Sequence, residues 1–159
     1  MSLRNRIAAY SITGMLAIAT PFVAVHEGLS TVPYQDIGGV WTWCYGETEG
    51  PIPRHTLTQQ ECSFLLNLKL HTVGLAVLVL VDTPMTHSRW AALTSFSYNL
   101  GINAFRTSTL RRKINEGDPK ACDQILRWTF VGRIDCKIPV NQCMGIPNRR
   151  QKERRLCNS

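Results

Sequence analysis

The feature that most constrains this chain is a run of nineteen uncharged residues, Ile7 to Val25 (IAAYSITGMLAIATPFVAV), set behind Arg4 and Arg6. As a helix it would reach roughly 28 Å, just enough to cross a bilayer, and arginines on its N-terminal side favour an N-terminus in the cytoplasm. Gly14, Pro21, Ser11, Thr13 and Thr20 dilute its apolarity, so lipid would hold it weakly. A second export reading takes Ile7 to Ala17 as a short apolar core, with Ala17-Ile18-Ala19 supplying small residues ahead of a signal-peptidase cut. Both place the remainder of the chain outside the cytoplasm. A third reading, an ordinary buried helix of a soluble domain, is also compatible with the pattern.

Directly after this run comes HEGLSTVPYQDIGGVWTWCYGETEG, His26 to Gly50. It holds two acids, Glu27 and Asp36, followed by Thr42 among alternating β-formers. Hydrolysis of a glycosidic bond needs an acid to protonate the leaving oxygen and a carboxylate to activate water or stabilise the cationic sugar. By spacing alone the pair reads as ordinary surface charge. The context adds to it, because Glu27 ends an apolar segment, the setting of a desolvated general acid, whereas Asp36 leads into a Gly-Gly turn and stays ionised.

Further along, Val40 to Tyr45 reads as a strand within a small antiparallel sheet over residues 32 to 48. Thr58 and Glu61 match a capping box, which opens a long helix reaching Val81. The apolar part of that helix is interrupted by Lys69 and His71, and it reads as a core helix. His87 to Leu100 lines Trp90, Leu93, Phe96 and Leu100 along one face and stops at Gly101. Further helices are expected over Thr107 to Glu116, over Lys120 to Trp128 behind Asp118-Pro119, and from an Asn148 cap through Leu156, with loop from Thr129 to Ile146. The expected fold is α+β: a small antiparallel sheet lobe and a mainly helical lobe joined by a long helix. The expected division is an anchor or signal segment, 1–25, and a catalytic domain, 26–159.

Charge is uneven. Residues 1 to 100 carry 5 Lys and Arg against 6 Asp and Glu, and residues 101 to 159 carry 13 against 5. The basic part suits an anionic partner such as wall polymer or lipid headgroup. Nucleic acid is not expected, since no zinc-finger, RNP or basic-zipper pattern is present. Six cysteines (Cys44, Cys62, Cys122, Cys136, Cys143, Cys157) in an exported chain favour disulfides, with connectivity open. No metal site or cofactor is expected.

The pattern E-G-x6-Y-x-D-x5-T, here Glu27, Gly28, Tyr34, Asp36 and Thr42, resembles the catalytic signature of phage-type lysozymes, glycoside hydrolase family 24. ALTSFSYNLG (Ala92 to Gly101) and FRTSTLRRKINEGD (Phe105 to Asp118) resemble that family's helical motifs, and RRQKERRLC (Arg149 to Cys157) resembles its C-terminal helix. The resemblance implies a lysozyme-like fold and a muramidase cutting the β-1,4 bond between N-acetylmuramic acid and N-acetylglucosamine in peptidoglycan. Glu27 would be the general acid, Asp36 the opposing carboxylate and Thr42 a hydroxyl holding attacking water, with Tyr34, Trp43 and Asn99 contacting substrate. It further implies Cys44 with Cys62 and Cys122 with Cys157, leaving Cys136 with Cys143. Where many members read glycine-histidine after the strand, this chain reads Gly46-Glu47.

The weak span beside Glu27 resembles signal-anchor-release endolysins, which implies a monomer tethered to the inner membrane through residues 7–25 and then freed into the periplasm of a Gram-negative host. Two other outcomes compete: a lytic transglycosylase on the same bond, and a small membrane-active lysis accessory protein.

Overall fold

Ser11 opens the first helix, its hydroxyl accepting the Gly14 N–H at 3.2 Å. In this computed structural model, which describes residues 11–36 and 39–159, the helix α1 runs Ile12–Glu27. The first four residues of the uncharged run lie outside the described residues. Met15, Ala19 and Val23, spaced by four, form its fully buried face, packed against the two longest later helices. The residues that dilute the run take part in this packing. Thr20 Oγ1 donates to Asn67 Oδ1 at 2.6 Å, and Gly14 lies so close to the His87 ring that a Cβ there would sit 3.0 Å from Nε2.

After Gly28 the chain forms an antiparallel pair, β1 (Ser30–Gln35) with β2 (Trp41–Cys44), in which Tyr34 lies opposite Thr42. The connection is closed by reciprocal bonds at 2.9 Å, the Asp36 N–H donating to the Val40 carbonyl and the Val40 N–H to Asp36 Oδ1. Of the expected Gly-Gly turn, Gly38 is outside the described residues and Gly39 has φ 76°.

The long helix α2 (Gln59–Leu80) starts at the expected capping box, with Thr58 accepting the Glu61 N–H and Glu61 accepting the Thr58 N–H. Among the described residues it is one helix long and apolar enough to cross a bilayer. Here it is built into the fold instead, contacting β2, α1 and α3. Its Cys62 is bonded to Cys44 of β2, and its Gly74 carbonyl accepts Nε1 of Trp90 at 2.8 Å. A Cβ on Gly74 would come within 2.4 Å of the Met15 terminal methyl, so the missing side chain is what lets α1 seat there.

Helix α3 (His87–Leu100) is the centre of the helical lobe, with every residue from Trp90 to Ser97 buried. The helix expected over 107–116 is α5 (Thr109–Asn115), and a short helix that was not expected, α4 (Ile102–Thr107), precedes it. They break at Ser108, whose backbone is extended and whose hydroxyl caps the Arg111 N–H at 3.1 Å. The segment expected as a helix over 120–128 is a 3-10 helix, Ala121–Arg127. Most of 129–146 is loop, as expected, with a short hairpin of β3 (Phe130–Val131) and β4 (Ile134–Asp135). The last helix, α6 (Gly145–Cys157), begins before Asn148, which lies in its first turn and does not cap it. Met144 already has helical dihedrals, and its carbonyl accepts the Asn148 N–H. The three disulfides are Cys44–Cys62, Cys122–Cys157 and Cys136–Cys143, the pairing the resemblance implies.

Candidate active site

Glu27 is the last residue of α1, and Gly28 at φ 73° turns the chain out of the helix toward the sheet. Its carboxylate is held from the far end of the sequence: Arg149 Nη1 of α6 donates to Glu27 Oε1 at 2.6 Å. Arg149 is buried, and its Nε donates to Glu153 Oε1 at 3.0 Å. Glu153 is itself wholly buried and also accepts from Ser95 Oγ at 2.8 Å and from Nη1 of Arg150. Arg150 completes the group, donating to the Trp128 carbonyl at 3.0 Å and to Asn99 Oδ1, with its guanidinium 5.3 Å from the Phe96 ring centre. Two carboxylates thus offset two guanidiniums in a region where an unpaired charge would be strongly destabilising. Burial lowers the pKa of Arg150 from its usual value, and the neighbouring Glu153 opposes that pull.

On the other side of Glu27 stands the turn after β2. Cys44 at φ 52° and Gly46 at φ 81° bend it tightly, and a Cβ on Gly46 would lie 3.8 Å from Glu27 Oε2, so this glycine faces the carboxylate directly. The turn is pinned in three places: by the Cys44–Cys62 bond to α2, by Tyr98 Oη donating to the Tyr45 carbonyl at 2.8 Å, and by Lys69 Nζ on Glu47 Oε1 at 3.0 Å. Burial, with the Glu27 and Glu47 carboxylates adding to it, raises the Tyr98 hydroxyl pKa far above the usual tyrosine value, so it remains a donor. Glu47, the departure from the family's glycine-histidine, is not a loose surface charge. Burial pushes its carboxyl up, yet the N–H groups of Glu49 and Thr48 and the Lys69 ammonium together hold it below the ordinary glutamate value.

Asp36 and Thr42 are on the β1–β2 hairpin. Asp36 is exposed at the end of β1, while Thr42 is buried in β2 with its hydroxyl donating to the Val40 carbonyl at 3.2 Å. Tyr34, opposite Thr42, is about half exposed. Glu27 and Asn99 line one cavity of about 590 Å³ together with Gln142, Asn148, Arg149 and Lys152. Trp43 is nearly buried and lines a different cavity, of about 620 Å³, between the 47–51 turn and α2. Asn99 thus joins Glu27 in one cavity, Tyr34 and Thr42 stand opposite each other on the hairpin, and Trp43 lines the other cavity.

Sequence reading did not single out Arg149, Glu153, Arg150, Ser95, Tyr98 or Lys69 as site residues. The i, i+4 spacing of Arg149 and Glu153 was a signal, but it commonly marks an exposed pair, and nothing local to the helix says it is buried.

An acid at a helix end, gripped by a buried arginine and followed by a hairpin carrying a carboxylate and a threonine, on a small sheet and a helical lobe, defines a glycoside hydrolase of lysozyme-like fold. The chain belongs to the phage lysozyme family, which it matches over residues 24–153. It is 42% identical over 164 residues to the SAR-endolysin of Enterobacteria phage PA-2, covering 98% of this chain and 95% of that one. To the SAR-endolysin of Bacteriophage PS119 it is 41% identical, covering 98% and 94%. Among solved structures, the muramidase domain of SpmX from Asticaccaulis excentricus superposes with a TM-score of 0.77 at 29% identity, covering 94% of this chain and 97% of that one.

Proposed function

We propose that this chain is an endolysin muramidase hydrolysing the β-1,4 bond between N-acetylmuramic acid and N-acetylglucosamine in peptidoglycan, with Glu27 as its general acid. The observation that carries the reading is the hydrogen bond by which buried Arg149 of α6 holds the Glu27 carboxylate, at 2.6 Å, beside the sheet-lobe turn that carries Gly46. In the proposed reaction Glu27 gives its proton to the leaving glycosidic oxygen as the bond to the anomeric carbon breaks. A water held by Asp36 and Thr42 attacks that carbon from the opposite face and loses its proton to Asp36, which inverts the anomeric centre. Arg149 donates to the Glu27 carboxylate that remains, and the Glu153–Arg150 pair behind it fixes the guanidinium before the reaction begins. Tyr34 and Asn99 would contact the glycan from the two lobes. Product mass tests this: hydrolysis yields a reducing muramic acid one water heavier than the anhydro sugar of a lytic transglycosylase, and a mainly anhydro product would overturn it.

Residues 7–25 are further proposed to tether the exported chain to the inner membrane before release into the periplasm, residues 26–159 forming the catalytic domain. What supports this over signal cleavage is that Met15 and Ala19 would be lost by a cut after Ala19, and both fill the core of the helical lobe. A helix cannot lie in lipid and in that core together, so tethering and the active fold are exclusive states. N-terminal sequencing of the purified periplasmic protein decides the matter, since an end at Thr20 would sink the release reading.

A further inference from the structure

Between the 3-10 helix and α6 the chain forms the β3–β4 hairpin, of which the proposed reaction uses nothing. Five large apolar side chains in eleven residues face water there: Phe130 is 57% exposed, Val131 51%, Ile134 51%, Ile138 49% and Val140 80%. Single exposed apolar residues are normal, but five within eleven residues, on the hairpin and on the turn that follows it, mark an interaction surface. The set is held outward by structure. Cys136 is fully buried and bonded to Cys143, and its N–H donates to the Thr129 carbonyl at 2.9 Å. Asn141 Nδ2 donates to the Asp135 carbonyl at 2.7 Å.

Two cations are interleaved with these side chains, Arg133 in the turn and Lys137 after β4, both exposed. Among the described residues neither takes part in an ion pair. The acid between them, Asp135, already accepts the Lys137 N–H at 3.0 Å. We propose that this hairpin is an interfacial docking surface for an anionic phospholipid bilayer, the apolar tips entering the headgroup region while Arg133 and Lys137 meet lipid phosphates. Apolar tips with long cationic stems beside them are the chemistry of a membrane interface, where the stems extend toward the charged headgroups. Cys143 and Gln142, at the end of the same loop, line the cavity of Glu27, so docking would set the direction in which that cavity faces. This surface is independent of the tether, and the chains compared below share an unchanged α1.

The test is co-sedimentation of the full-length purified protein with phosphatidylglycerol–phosphatidylethanolamine vesicles and with phosphatidylcholine vesicles. Two variants accompany the wild type: Val131→Ser with Ile138→Ser and Val140→Ser, and Arg133→Gln with Lys137→Gln. The expected result is binding to the anionic vesicles that weakens by about tenfold or more in the apolar variant. The charge variant should bind more weakly at low salt and lose the salt dependence of the wild type. Variants binding as tightly as wild type would overturn the proposal, as would equal wild-type binding to both vesicle types. Should a variant fail to fold, hydrogen exchange on the wild type decides: amides of residues 130–140 slow on adding anionic vesicles, and unchanged rates overturn the proposal. Loss of binding to lipid-free wall sacculi with vesicle binding intact would overturn it too, reassigning the hairpin to glycan.

Discussion

Arg149 of α6 and Glu27 of α1 meet at 2.6 Å although 122 positions separate them, and that contact joins the two ends of the described chain at the proposed catalytic acid. The first prediction concerns the acid alone. Glu27→Gln keeps the shape and a hydrogen-bond acceptor for Arg149 while removing the transferable proton. Lysis of chloroform-permeabilised Gram-negative cells should fall by at least about a hundredfold, with circular dichroism unchanged. Equal lysis by both proteins would refute the assignment.

Arg149→Met separates position from folding. It removes a donor to Glu27 and leaves buried Glu153 with Arg150 and Ser95 as partners. Breaking a buried pair on one side costs roughly 3–5 kcal/mol, and the remaining partners should hold the loss to the lower end. Urea unfolding reads the stability, and lysis measured well below the melting temperature should still be reduced.

Glu47 gives a pH signature. Its folded-state pKa is depressed, so its stabilising contribution is fully present above the unfolded glutamate value of about 4.3 and is lost as pH falls through the lower folded value. The stability gap between wild type and Glu47→Gln should therefore be constant above about pH 5 and close progressively below about pH 4. Urea midpoints across that range check it, and a gap that widens toward acid would contradict the assigned shift.

Ala19→Leu tests the two proposed states of α1 together. At a fully buried position the larger side chain overfills the core, at about 1–3 kcal/mol, and it makes residues 7–25 more apolar in lipid. Both effects favour the tethered state, so the membrane-bound share in cell fractionation should rise and periplasmic activity should fall.

Much of the fold was legible because its signals are local. The Thr58–Glu61 box, the Gly101 stop and the alternation around Thr42 need only neighbours within a few residues to be read. Where the reading shifted, local geometry outweighed periodicity, as at Ser108, whose cap starts α5 after Thr107, and at Met144, whose helical dihedrals start α6 ahead of Asn148. Of the candidate site, Glu27, Asp36 and Thr42 stand within sixteen residues and form a motif. Arg149, Glu153 and Tyr98 do not, because their relation to Glu27 exists only once α6 and α3 are packed.

The sequence by itself determined the first hairpin, the main helices, the family and the candidate acid, since each rests on short-range pattern and residue chemistry. Only the tertiary structure decided that the weakly apolar run is a wall of the helical lobe, with Met15 seated against Gly74 and Thr20 bonded to Asn67. It alone also decided that the basic C-terminal helix turns two arginines and a glutamate inward behind Glu27. Burial and long-range pairing are properties of the packed chain, where low dielectric makes each charge depend on a partner far away in sequence, and no local pattern carries that information.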